Sequence, residues 1–525
     1  MIPNLSLIFT STLAAVCIAS AVKLLNWVWF GPRKLEKILR EQGLNGNPYR
    51  FVLGDLKELI NVTTEEQSRS IALSDDVVPH IIPYYWKIFK KFGSNSFVWF
   101  GPWPRLNVTD PELIMEILRK PEVFQKPVTD SVTGKILTGG IVFLEGQKWS
   151  LHRKIINPAF HLEKLKKMVP AMGLSCTSML EKWESMVSCT NEGSCEIDVW
   201  PYIEDLTGDV ISRTAFGSSY EEGKRIFHLH RDKLELTLNL LKSSFIPGWK
   251  YLPTKTNKRV IDISREMRSL LEGIIKKRVE AIEMGEAIVG DDFLGVLMES
   301  NSQENGNNNR GMSIEDVIEE CKLFYFAGSE TTSCLLVWTI VLLCQFQEWQ
   351  NLARDEVLGV FGNSEPHFEG LNQLKVVTMI LLEVLRLYPP VPLMARGPTQ
   401  TVKLGNLTIP AGVHMTLLIA ELHHDPKIWG EDAEEFKPQR FSKGISNAAT
   451  NSSGFVPFSS GPRICIGQNF AMIEAKMVVA MILQRFSFEL SPSYSHSPFS
   501  ILTLKPKHGA AVILRSLRSQ TRPAS

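Results

Sequence analysis

The chain has 525 residues, 44% of them hydrophobic and 22% charged, with a formal net charge of +1. A near-neutral chain with no long Lys/Arg block offers no field or tail for nucleic acid, which argues against that class of partner. Length alone allows about three domains. The eight cysteines (Cys17, Cys176, Cys189, Cys195, Cys321, Cys334, Cys344 and Cys465) show no CxxC, zinc-type or CxxCH spacing, so they read as reduced thiols of a cytosol-facing protein rather than a disulfide framework.

From Ile2 to Val22 no residue is charged, and Leu, Ile, Ala, Val and Phe dominate. A helix of that length spans a bilayer core. Trp27 and Trp29 come next as an interfacial aromatic belt, then Arg33, Lys34, Lys37 and Arg40. Positive charge downstream and none upstream predicts an N-terminus across the membrane and a cytosolic body. A cleaved secretory signal would carry a basic segment ahead of its apolar run. Residues 1–30 therefore read as an uncleaved anchor and 31–525 as the body.

Residues 31–60 alternate basic and apolar side chains as an amphipathic lead-in, and no Pro/Gly/Ser linker or internal repeat divides the remaining chain. Short β-type runs occur at 97–109, 402–409 and 411–419, bounded by Gly and Pro. The segment from Gly217 to Gly223-Lys224 is one residue too long for a phosphate loop, and Arg225 stands where Ser or Thr is needed, so it reads as a turn. Asn301 to Arg310 is strongly polar and predicts an exposed loop. Ser313 with Asp316 is a capping-box signature opening a long helix to about Phe346. Further helices are predicted over Glu348 to Phe361, Leu371 to Leu387 and Asn469 to Arg485. The fold class is mainly α with a smaller β-rich portion.

The long helix is apolar except for Ala327-Gly328-Ser329-Glu330-Thr331-Thr332. A mid-helix glycine costs roughly 1 kcal/mol against alanine, threonine hydroxyls can back-bond and bend the helix, and a carboxylate here is costly unless paired or used. A packing kink with a satisfied Glu and a functional site fit these residues equally. Glu383 and Arg386 lie three apart on an apolar helix that stops at Pro389-Pro390. The same spacing recurs at Glu66/Arg69, Glu116/Arg119 and Glu222/Arg225 as ordinary surface pairs. A buried pair needs further hydrogen bonds, and Arg440 is the candidate third member.

Phe458-x-x-Gly461-x-Arg463-x-Cys465-x-Gly467 precedes the last helix. Five such positions would coincide in far fewer than ~1 in 1,000 chains by usage alone. A thiolate at a helix N-terminus is favoured by the macrodipole and by unpaired N–H groups. Gly461 and Gly467 permit a tight turn and close backbone approach, Phe458 can shield the sulfur, and Arg463 can meet an anion. A nucleophilic cysteine needs a base, and a structural zinc needs more ligands. The pattern describes one thiolate held as an axial haem ligand.

The Ser-Glu-Thr-Thr island, LEVLR, FKPQRF and FSSGPRICIG together resemble a cytochrome P450. The likeness runs from FGPRKLEKILREQGLNGNPYRF through WSLHRKIINPAF and EECKLFYFAG to ILTLKPKHG. More narrowly, it resembles the plant microsomal group that includes secologanin synthase and triterpenoid and gibberellin oxidases. The resemblance implies the P450 fold with an N-terminal transmembrane helix, haem b, and Cys465 as the iron ligand. It implies that Glu383, Arg386 and Arg440 form a structural triad. Trp149, Arg153, Arg396 and Arg463 would bind haem propionates, and Glu330 with Thr331 would be the acid–alcohol pair that delivers protons during dioxygen activation. Ser329 departs from the longer amide usual in the group.

The implied activity is hydroxylation or further oxidation of a hydrophobic small molecule, with a terpenoid as the leading class. Electrons would come from NADPH through a separate cytochrome P450 reductase, since this chain carries no flavin or nicotinamide fingerprint. The implied location is the endoplasmic reticulum membrane, single-pass, with the catalytic domain facing the cytosol. The substrate pocket would include residues near 121–145, the long helix and Val391 to Met394. Lys164, Lys166 and Lys167 read as a solvated face that could dock an acidic reductase surface. The rival readings are a reductase-independent enzyme that rearranges hydroperoxides and a non-catalytic haem sensor.

Overall fold

The computed structural model describes residues 5–127, 139–190, 193–218, 220–241, 249, 252–285, 290, 292–303, 311–500 and 502–517. Helix α1 (Leu5–Leu25) runs through a π-helical turn, Asn26–Phe30, into α2 (Gly31–Glu41). Phe9–Glu41 is long and apolar enough to cross a membrane, and Phe9, Leu13, Val16, Ile18 and Val22 are exposed along it. Its far end is tied to the body. Arg33 sits 3.8 Å over the Trp29 ring, Trp27 packs edge-on against Trp103, and Tyr49 donates its hydroxyl to Val28 O at 2.7 Å.

The helices that shape the site are α3 (Gly146–Ile156), α4 (Leu162–Ser188), α5 (Trp200–Phe216), α6 (Ile314–Gln345), α7 (Lys375–Leu387), α8 (Ile419–His424) and α9 (Gln468–Arg485). Helix α6 is the axis of the core: from Val317 to Cys344 every residue is buried except the half-buried Glu319, Ala327, Gly328, Ser329 and Thr331. It is long and apolar enough to cross a membrane, yet its burial makes it a core helix. Ser313 caps it as expected, its Oγ accepting from Asp316 N at 3.2 Å. At Gly328 a Cβ would lie 2.6 Å from Ile211 Cδ1 of α5. The glycine therefore serves close helix packing, and α6 continues through it as one helix.

Strands Ser96–Phe100, Trp103–Val108, His414–Leu418 and Leu393–Pro398 lie side by side in that order, with Asn45–Gly46 outside the first and Phe124–Gln125 outside the last. A second sheet runs Phe486–Leu490, Ala511–Ser516, Ser194–Asp198, and two hairpins complete the β portion. The expected run at 97–109 is thus a hairpin, and 402–409 another (Val402–Leu404 with Leu407–Ile409).

Three expectations change. Leu371 does not begin α7: Phe368–Leu371 is a separate turn, and α7 starts at Lys375. The cause is remote, because Glu356 of the preceding long helix accepts from the backbone N–H of Lys375, Val376 and Val377, capping α7 from outside. Gly217 ends α5 in the left-handed conformation, but Gly223 sits inside the next helix, Tyr220–Leu241, rather than in a turn. Asn301 belongs to the helix Phe293–Gln303, while 304–310 lie outside the described residues.

Candidate active site

The thiol loop is built locally. Cys465 N donates to Phe458 O at 2.9 Å, closing a loop that contains Ser459 and Gly461, both at positive φ. A Cβ on Gly461 would lie 2.7 Å from Leu118 O, so only glycine fits. Gly467 is the N-cap of α9, two residues after the cysteine. The Cys465 side chain is exposed, yet enough protein surrounds it that burial pushes its thiol up, against the pull of the Gly467 N–H and the Arg153 guanidinium.

Helix α3 frames this loop. Arg153 donates to Ile464 O at 2.8 Å, and its electrostatic partner is the Cys465 sulfur. Arg463 lies over the Trp149 ring at 4.5 Å, donates to Leu144 O at 3.0 Å, and pairs with Glu145. Helix α3 is also clamped to α6, for the buried His152 Nδ1 lies 2.6 Å from Glu320 Oε1, and Glu320 Oε2 accepts from Ile141 N.

Arg396 and Lys126 complete a cation cluster with Arg463. Burial, then Arg463, pushes Arg396 down to about 10. Burial, then Arg396 and Arg463, pushes Lys126 down to about 7, with Glu145 as the opposing carboxylate. Three sheltered cations acting on one another against one acid call for an anionic partner. An exposed thiol with such a cluster close by would suit haem, Cys465 supplying the thiolate to its iron and the cations meeting its two propionates. Trp149, Arg396 and Arg463 are thus brought together, whereas Arg153 stands nearer the sulfur. Lys126 and Glu145 escaped sequence reasoning, because neither stands in a distinctive pattern.

On α6, Thr331 Oγ1 donates back to Ala327 O at 2.9 Å and Ser329 Oγ to Tyr325 O at 3.0 Å. Glu330 takes a different direction. Its Oε1 accepts from Thr503 Oγ1 at 2.7 Å and lies 2.5 Å from Lys505 Nζ. Beside it is a cavity of about 20 Å³ lined by Glu204, Thr207, His230, Arg231 and Ser329, among others, with room for about one water.

The Glu383–Arg386 pair is fully buried and bidentate, at 2.8 and 2.9 Å. Arg440 Nε lies 3.3 Å from Glu383 Oε1, which also accepts from Lys437 N. Arg386 donates to the carbonyls of His423, Ala433 and Glu435, and Arg440 to those of Trp429 and Asp432. The three side chains gather residues 423–440 around one carboxylate. By contrast Glu66–Arg69 is a surface pair, Glu116 pairs with Lys120, and Arg225 pairs with Glu266. Of the three lysines on α4, Lys164 donates to Gly290 O and Lys166 pairs with Glu369.

The cytochrome P450 family model matches residues 78–512. A cytochrome P450 of Panax ginseng, CYP72A219, is 54% identical over 98% of this chain and 99% of its own length. An Arabidopsis thaliana cytochrome P450, 72A15, is 52% identical over 94% and 95% of the two chains. The 7-deoxyloganic acid hydroxylase of Catharanthus roseus is 52% identical over 94% and 96%. Agreement of this length and depth shows that the chain belongs to the cytochrome P450 family, among its plant CYP72A members, and is a monooxygenase that binds haem b through a cysteine thiolate.

Proposed function

We propose that this monooxygenase hydroxylates, or further oxidises, a hydrophobic small molecule of the terpenoid class. The observation that carries the substrate class is the 52% identity, along nearly the whole chain, to a hydroxylase of 7-deoxyloganic acid. Electrons come from NADPH through a separate cytochrome P450 reductase. Residues 1–30 anchor the chain in the endoplasmic reticulum membrane, and 31–525 form the catalytic domain on its cytosolic side. The apolar, exposed face of α1 supports the anchor.

Cys465 is the iron ligand in this reading. Bound haem supplies the dioxygen chemistry, with thiolate donation favouring O–O cleavage. The chain's own residues hold that chemistry in place. The Gly467 N–H and the Arg153 guanidinium stabilise negative charge on the sulfur, and Phe458 covers it. Trp149, Arg396, Arg463 and Lys126 hold the propionates. Thr331 presents its hydroxyl and Glu330 its carboxyl from α6, the carboxyl held at Oε1 by Thr503 and Lys505 beside the small cavity; they are the alcohol and acid that deliver protons. Glu383, Arg386 and Arg440 brace the segment next to the loop. Val391 to Met394, α6 and residues 121–145 line the substrate pocket, of which 128–138 lie outside the described residues.

The test is co-expression with a plant reductase and product analysis across terpenoid scaffolds, alongside Cys465→Ala. Oxygenated product that requires NADPH and reductase supports the reading. Full turnover without NADPH, or no product from any terpenoid, overturns it. Cys465→Ala is expected to abolish the thiolate-type CO difference spectrum; a surviving spectrum removes Cys465 as ligand.

A further inference from the structure

Away from the active site, three segments distant in sequence bring metal-ligating groups to one point. Asp76 stands in the loop before Val78–Ile81, His424 ends α8, and Glu434 lies between Trp429 and the turn Pro438–Lys443. A ring nitrogen of His424 and one carboxylate oxygen from each acid lie within 4.8 Å of one another. Asp76 and Glu434 are exposed, which gives access, while His424 is buried, at 4% exposure.

The imidazole is the informative member. His424 Nε2 lies 3.0 Å from Leu387 O. A carbonyl oxygen only accepts, so Nε2 carries a hydrogen. In neutral imidazole this leaves the Nδ1 lone pair 2.8 Å from the Glu434 carboxylate. Two acceptors do not face each other at that distance without a cation between them, either a second ring proton or a metal ion. The surroundings favour more than one positive charge. Glu421, one turn back on α8, and Asp425 add two carboxylates, and Lys90 is the further cation acting on this group.

We infer that Asp76, His424 and Glu434 form a binding site for a divalent cation of the zinc class. One imidazole with two carboxylates suits zinc, whereas calcium and magnesium take oxygen shells of six or more. An N–H donated to a backbone carbonyl by the ring nitrogen opposite the metal is the usual orienting contact of a ligating histidine. Occupancy would cross-link the Asp76 loop to the 430–436 segment, whose Ala433 and Glu435 carbonyls are already held by Arg386.

The test uses the haem-loaded protein, treated with chelator and exchanged into metal-free buffer. Zinc is titrated calorimetrically, and retained zinc is measured against haem iron by elemental analysis. Wild type is expected to keep about one zinc per iron, and zinc is expected to raise its melting temperature. Asp76→Asn and Glu434→Gln change exposed side chains that need not disturb folding; each is expected to weaken binding about tenfold or more and to lose the thermal response. His424→Gln is expected to abolish binding. Equal zinc affinity in wild type and Glu434→Gln, or no zinc retained by wild type, overturns the site and leaves His424 as an imidazolium bonded to Glu434.

Discussion

Lys505 Nζ lies 2.5 Å from Glu330 Oε1, so the acid of the Glu330–Thr331 pair is held by a lysine from the C-terminal β portion, not by its neighbour on the helix. Burial lowers Lys505, but Glu330, with Cys334 and Glu204, more than offsets this and holds it above its ordinary value. The contribution of Lys505 to this ion pair is therefore complete at neutral pH, and is lost as pH rises past the ordinary lysine value of 10.5 and through the raised value in the fold. Lys505→Met leaves a sheltered carboxylate without its cation, at a cost of about 3 kcal/mol. Glu330 then loses the contact that positions its carboxyl, and its part in proton delivery is expected to suffer. Thermal unfolding should show the loss, and NADPH use should rise against product, with the difference appearing as peroxide. Lys505→Arg should retain coupling. Wild-type coupling in Lys505→Met would count against the role of Glu330.

Arg386 tests the buried network. Its guanidinium serves Glu383 twice and three carbonyls besides. Lysine offers three donors from one point and cannot span that set. Arg386→Lys is expected to destabilise the fold by about 3–5 kcal/mol and to lower the haem recovered per chain. The readouts are the haem-to-protein absorbance ratio and denaturant unfolding. Arg69→Lys, with the same ExxR spacing on the surface, should be neutral within about 0.5 kcal/mol.

That contrast shows what the sequence could and could not convey. Four ExxR pairs look alike as strings, and the Pro389-Pro390 stop with the apolar helix around Glu383 singled out the buried one. Ser313 and the glycines of the thiol loop were equally legible, because caps and tight turns are decided within a few residues. Lys126, Glu145 and Lys505 were not. Each owes its role to partners far off in the chain, as Lys505 does to Glu330 and Lys126 to Arg396. The start of α7 was misplaced for the same reason, since its cap comes from Glu356. The polar island on α6 was read as kink or site; the helix runs through it as one element, and the close approach of Ile211 to Gly328, a contact from a distant segment, was not legible.

Glu421 gives a pH prediction. Its ordinary value is 4.5, and burial followed by Asp76 raises it to about 7 in the fold. Between these values the native state binds more protons than the unfolded chain, so stability falls as pH rises from about 4.5 to about 7. Above that window the full penalty stands, about 2 kcal/mol after allowance for partial exposure. Glu421→Gln should therefore raise the melting temperature at pH 8 in the presence of chelator and leave it little changed at pH 4.5. An equal shift at both values would show that the carboxyl does not titrate in this window.

Gly328 and Ile211 should be thermodynamically coupled. A methyl group on Gly328 would meet Ile211 Cδ1 at 2.6 Å and Cγ1 at 2.8 Å. Overpacking of this kind costs about 1–3 kcal/mol, partly offset by the ~1 kcal/mol that alanine gains over glycine in a helix. Ile211 is buried at 1% exposure, so Ile211→Ala alone opens a cavity and costs about 2–5 kcal/mol. In the double variant the new methyl occupies space vacated by both Cγ1 and Cδ1. Its loss should then be smaller than the sum of the single losses by about 1 kcal/mol. Ile211→Val would relieve less, because it retains Cγ1. Denaturant unfolding of the four proteins, tracked by haem absorbance, measures the coupling. Strict additivity would mean that the contact between α5 and α6 can shift to admit the methyl at no cost.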